Sequence, residues 1–197
     1  MDRIFVIGRD SVPEKFNLAS GESLEAVFVI LPGVSCSLRL EINLNAPGAR
    51  ADIAGLFLCK GGEKVDIRVD MRHNAGHCVS EQLFKGIAGG DARVCFDGLV
   101  YVARDAQRTV SHQQCHSILL SSEALCEARP QLEIYADDVE CSHGATSGYL
   151  NEDERFYMQS RGIPEAEARA LQMISFISPV ASRLPEELRE QIYDSLS

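Results

Sequence analysis

From residue 1 to about residue 145 the dominant spacing of apolar residues is two, and no amphipathic helical stretch of ten residues separates the runs that show it. No other feature narrows the fold as much. Val65, Ile67, Val69 and Met71 alternate with Asp66, Arg68 and Asp70, which puts four apolar side chains on one face of an extended strand. The same alternation runs through residues 38–44, from Leu99 to Val102, and through Leu132, Ile134 and Ala136 against Glu133, Tyr135 and Asp137. Turn signals fall between these runs at Pro32-Gly33, Pro47-Gly48, Gly61-Gly62, Gly89-Gly90 and Asp97-Gly98. An alternating βαβ sheet needs helical runs between its strands, so the pattern predicts a mainly β body. Two architectures satisfy it: an antiparallel sandwich, and a parallel β-solenoid whose coils stack.

The cysteines lean towards the solenoid without deciding it. Cys36, Cys59, Cys78, Cys95 and Cys115 are separated by 23, 19, 17 and 20 residues, near one turn of a coiled solenoid, and a small apolar thiol suits an inward stack. After Gly148 the period changes. Asn151 is a helix N-cap followed by Glu152, Asp153 and Glu154, with Arg161 and Gly162 closing that helix. Pro164 opens a second helix with Ala166, Ala170, Met173, Ile174 and Ile177 on one face and Pro179 near its end. Pro185 opens a third, with Leu188, Ile192 and Leu196 in line. The expected organisation is a β body over residues 1–148 and a small helical domain over 149–197.

Composition removes several function classes. The 29 acidic residues outnumber the 19 basic ones for a net charge of −10, and Trp is absent, which disfavours nucleic acid and anionic lipid as partners. The longest apolar run, Ala26 to Leu31, is far shorter than a membrane span, and Met1-Asp2-Arg3 does not open a signal peptide. Seven cysteines are an odd number, best read as free thiols in a reducing cytosol, so a cytoplasmic location is expected. There is no C-x-x-C pair, no Gly-rich phosphate loop and no G-x-S-x-G, so any ATP must be bound by another chain.

Reactive side chains gather between His112 and His143. His112, Cys115 and His116 would share a face on a helix and resemble a metal site; on a strand, the two histidines face one way and Cys115 the other. Ile118-Leu119-Leu120 follows at once and favours the strand, hence two exposed histidines and a core cysteine. His73 and His77 flank Asn74-Ala75-Gly76 and look like a turn. Cys141, Ser142 and His143 lie where β gives way to α, but neighbours on one strand point apart, which makes a poor hydrolase. Thiolate and imidazole do suit iron–sulfur clusters, zinc or ferrous iron, although this stretch has too few donors for a whole site.

The segments PQLEIYADDVECSHGAT (residues 130–146) and FYMQSRGIPEAEA (156–168) resemble the C-terminal signature of the SufB/SufD proteins, in particular the SufD branch. His73 to Gly86 and Ala106-Gln107-Arg108-Thr109 are similar to further stretches of that family in the same order, so the resemblance covers about residues 40 to 190. It implies a right-handed parallel β-helix followed by a small helical domain, and a non-enzymatic scaffold role in iron–sulfur cluster assembly. It also implies a SufC-type ABC ATPase docked on the helices, a SufB-type partner or a second copy joined at the β-helix ends, and a transient cluster or iron. The sequence has no counterpart of the N-terminal helical region of longer members.

Residue by residue, the motif histidine implicated in cluster formation is His143. Cys115 falls where the SufB branch has its sulfur-accepting cysteine, and Gly144 stands where SufB has a glutamate. Cys115 of one copy and His143 of another could then form a composite site, with Cys141, His112 and His116 as weaker candidates. The apolar faces around Ile174, Ile177, Leu188 and Ile192 are candidates for the ATPase contact; the plainer reading is that they shield the β body. A β-helix carbohydrate enzyme using Asp137, Asp138 or Glu133, and a structural subunit without cluster chemistry, are the alternatives.

Overall fold

The computed structural model describes residues 3–196; Met1, Asp2 and Ser197, and with them part of the Met1-Asp2-Arg3 reading, lie outside the described residues. Eleven strands are followed by three helices: β1 (Arg3–Val6), β2 (Lys15–Leu18), β3 (Ser23–Ile30), β4 (Cys36–Leu44), β5 (Arg50–Cys59), β6 (Lys64–His73), β7 (Val79–Ala88), β8 (Arg93–Val102), β9 (Thr109–Leu119), β10 (Leu125–Ile134), β11 (Val139–Tyr149), α1 (Glu152–Ser160), α2 (Glu165–Ala181) and α3 (Glu186–Asp194). Consecutive strands from β2 onward lie in different sheets. One sheet runs β1-β3-β5-β7-β9-β11 and the other β2-β4-β6-β8-β10, every ladder parallel. This is a two-sheet β-solenoid, and the sandwich is excluded.

A coil takes 23 residues at the start, where Arg3 pairs with Ala26, and 29 to 32 from Cys36 onward, where Cys36 pairs with Val65 and Arg93 with Leu125. The cysteine spacings are therefore too short to be a ladder. Cys36 and Cys95 sit in one sheet, Cys59 and Cys115 in the other, and Cys78 in a turn; no two are register partners. Asp97-Gly98 is also no turn but the middle of β8. A Cβ on Gly98 would collide with the Gln113 carboxamide, and one on Gly86 with the Phe57 ring, so these glycines make room for large side chains from the facing strand or next coil.

Alternation decides what each strand buries. In β6 the inward Val65, Ile67, Val69 and Met71 are buried as the sequence pattern requires, and the series continues into His73. The inward residues of both sheets make one core. The first sheet is unusual in having a second apolar face. Val27, Val29, Ala54, Leu56, Leu58 and Ile87 point outwards and are covered by Met173, Ile177, Val180 and Ala181 of α2, by Leu184 and by Ile192 of α3. Asn151 caps α1, its Oδ1 accepting from the backbone N–H of Asp153 and Glu154, as the sequence predicts. Pro164 and Pro185 stand at the N-caps of α2 and α3, and α2 runs through Pro179.

Candidate functional site

The C-terminal end of the solenoid is uncovered. β10 and β11 are the edge strands of their sheets, and neither holds a buried residue. Register shows which side chains this last coil turns inward. Val139, Cys141, His143, Ala145 and Ser147 lie over Thr109, Ser111, Gln113, Cys115 and Ser117 of β9, which are all buried. On β10, Cys126, Ala128, Leu132 and Ile134 lie over Val94, Phe96, Val100 and Val102. The terminal coil therefore offers half-buried apolar side chains with an imidazole and two thiols among them, and the strand edges bare their backbone groups.

The leading sequence candidates meet here at different depths. His143 is exposed and has no side-chain hydrogen bond among the described residues. Cys115 is on the same inner face one coil below, two residues along, capped by Ala145 and only 4% exposed. Burial, with Cys126 adding to it, pushes its thiol up to about 12. Such a thiol is protonated at neutral pH and a weak nucleophile. Cys141 is half-buried, its thiol raised by burial and then by Glu140. Cys126, which sequence reasoning passed over, is held up by burial while Ser117 pulls the other way.

His112 and His116 lie on the opposite, outer face of β9, as the strand reading requires. His112 Nδ1 is 2.7 Å from Ser142 Oγ, and its Nε2 is 3.9 Å from Glu140 and 4.0 Å from Glu81. His116 Nδ1 is 2.7 Å from Thr146 Oγ1, and burial together with the Lys85 charge lowers its pKa. Both imidazoles tie the edge strand β11 to β9, and neither reaches the inner face that carries His143. Among the described residues no group of three or more His, Cys, Asp and Glu is arranged to hold a metal ion.

Behind the terminal coil lies a polar interior that the sequence reading missed. His73 Nε2 is 2.9 Å from Ser80 Oγ, which is 2.8 Å from Ser111 Oγ, directly beneath Cys141 in register. Gln113 Nε2 donates to Gln82 Oε1 at 3.0 Å, directly beneath His143. Burial drives the His73 pKa down to about 4, so the ring is neutral. The signal for His73 was present, because it continues the inward series of β6.

The helices need a correction. Ile177 and Ile192 are 0% exposed, and Ile174 and Leu188 are partly buried against the same cluster, because α2 and α3 lie on the outer face of the first sheet. Their role here is packing. The free apolar surface is elsewhere: Phe156 is 73% exposed and Tyr157 60%, and Tyr149 and Leu171 are exposed too. Tyr149, Tyr157 and Leu171 border a groove of about 820 Å³ between the ends of β9 and β11 and helices α1 and α2.

The molecule is thus a two-sheet parallel solenoid with a helical layer on one sheet and an open last coil bearing soft metal donors. Residues 14–176 match the family described as SUF system FeS cluster assembly, SufBD core domain, reaching further upstream than the motifs quoted above. The iron–sulfur cluster assembly protein SufD of Escherichia coli K12 is 35% identical over 164 residues, covering 83% of this chain and 39% of that protein. An iron–sulfur cluster assembly SufBD family protein of Synechocystis is 33% identical over 75% of this chain and 32% of its own length. Protein ABCI7, chloroplastic, of Arabidopsis thaliana is 38% identical over 78% of this chain and 33% of its own length. This chain belongs to the SufBD core family of SUF-system iron–sulfur cluster assembly. It spans between about a third and two fifths of the length of these relatives.

Proposed function

We propose that the chain is a non-enzymatic scaffold in iron–sulfur cluster assembly, presenting His143 at an open solenoid end that a second chain completes. The observation that carries this is the terminal coil, where a histidine with no hydrogen-bond partner among the described residues lies on the inward-facing side of an edge strand paired on one side only. Strand edges of this kind pair readily, and an end coil from another subunit would cover the half-buried side chains while bringing further donors to His143. The second chain is another copy or a SufB-type subunit, and the cluster or iron is cargo held between the two. Neutral imidazole and thiolate are donors suited to iron; Cys115, one coil below and 4% exposed, would join them only by giving up its proton to solvent as the metal binds.

A SufC-type ABC ATPase docks on the helical side, through Tyr149, Tyr157 and Leu171 at the groove beside α1, with exposed Phe156 on the same helix. Contiguous exposed aromatics are unusual on a surface that meets only water. No described helix is long and apolar enough to cross a membrane. The free cysteines support a reducing compartment, which we take to be the cytoplasm. The exposed Asp138 carboxylate is 3.6 Å from Arg108, and adjacent carboxylates on such a turn do not converge on one bond, so the carbohydrate-enzyme reading gains nothing. Anaerobic loading with iron and sulfide tests the proposal. His143→Ala should lose most of the cluster absorbance bound by the wild-type chain, and equal loading of the two would contradict it.

A further inference from the structure

The inner face of the first sheet contains a row of register partners: Ala26, Ile53, Gln82, Gln113 and His143. The first two pack, and the last three are polar. Gln113 is 0% exposed, and its carboxamide lies over Gly98 of the facing sheet, where a β-carbon would leave it no room. Its Nε2 is turned back to Gln82 Oε1, which leaves Gln82 Nε2 without an acceptor and Gln113 Oε1 without a donor, the latter one register step below His143. Neighbouring strands stand about 4.8 Å apart, so in-register side chains on one face are within reach of each other. A buried carbonyl oxygen lacking a donor is costly, and the residue above it carries a ring N–H with no other partner among the described residues.

We propose that Gln113, oriented by Gln82, is the positioning residue for His143: its Oε1 accepts one ring N–H when the imidazole turns inward over the last coil. This rests on the scaffold reading and adds to it how the ligand is presented. Fixing one nitrogen as donor selects a single neutral tautomer and leaves the other nitrogen's lone pair for the metal, the way outer partners orient metal-binding histidines. Gly98 has its reason in the same arrangement, since β8 gives up a side chain so that the carboxamide can lie flat beneath the site.

The test is the tautomer balance of His143, read from ring nitrogen shifts of the ¹⁵N-labelled full chain at a pH where the ring is neutral. The wild type should hold one tautomer. Gln113→Met, similar in volume without the acceptor, should shift the ring to the mixed balance of free imidazole, and Gln113→Glu, which retains an acceptor, should restore a single tautomer. Thermal melting and circular dichroism confirm that the variants are folded; should Gln113→Met fail to fold, wild type against Gln113→Glu and Gln82→Met still reads the same balance. An identical balance with and without the acceptor overturns the positioning role. If His143→Ala nevertheless loses loading, the scaffold reading stands without it; full loading by His143→Ala overturns both.

Discussion

The first and last coils of this solenoid are built on one frame and filled differently. Along the inner face of the first sheet, β3 and β5 supply Leu24, Ala26, Phe28, Ile30, Ala51, Ile53 and Phe57, all buried and apolar. At the matching positions β7, β9 and β11 supply Ser80, Gln82, Ser111, Gln113, Ser117, Cys141 and His143, while the row through Phe84, Cys115 and Ala145 stays apolar. The facing sheet stays apolar, apart from His73. A buried hydroxyl or carboxamide adds less to stability than a packed hydrocarbon and must be hydrogen-bonded, so polarity that grows towards one end requires a reason at that end. The reason offered by the geometry is the terminal coil, beneath which both polar files stop, at Cys141 and at His143. On the proposed reading the apolar coils hold the fold and the polar coils organise the site.

That division is breakable by measurement. Phe57, 1% exposed with its ring over Gly86, belongs to the apolar half, and Phe57→Ala should cost about 3–5 kcal/mol in urea unfolding. A cost below about 1 kcal/mol would mean that the first coils do not hold the fold. His73 comes next. Its folded pKa of about 4 lies below the ordinary 6.5, so as pH falls the unfolded chain takes up a proton that the folded chain refuses. Stability should decline from about pH 6.5 to about pH 4 and level off below, with a loss from this ring of about 3 kcal/mol. His73→Leu should flatten that part of the pH profile, and an unchanged slope would remove His73 from the polar file. The smallest expected effect is on the stability of His143→Ala, about 1 kcal/mol, because the ring is exposed and supplies at most the one hydrogen bond to Gln113. A change of several kcal/mol would make His143 a structural residue and erase the contrast between the two halves.

The period-two pattern made the β body legible because burial on one face imposes it, and the caps made the helices legible because Asn151, Pro164 and Pro185 act locally. The interior of the last coils was not legible. In Val79-Ser80-Glu81-Gln82-Leu83-Phe84 the inward residues are Ser80, Gln82 and Phe84, and a serine and a glutamine read as surface until the register places them inside. The cysteines suggested the right fold through a spacing that is not the coil. Distance along the chain cannot tell a register partner from a residue on the opposite sheet. The helical faces were ambiguous for another reason. Ile177 and Ile192 are equally suited to a partner or to a sheet, and only a sheet that is apolar on both faces settles which. Cys115 and His143 were singled out by the resemblance, and only the register places both on the inner face of consecutive coils, while His112 and His116 fall on the outer one as the strand reading has it.

Hydrogen exchange along the edge strands tests the central claim most directly. In the free chain the backbone amides of residues 125–134 and 139–149 that point off the end should exchange quickly, and on anaerobic addition of iron, sulfide and the partner chain they should become protected together. Protection that appears only on α1, with β10 and β11 unchanged, would contradict an assembly site at the open end of the solenoid.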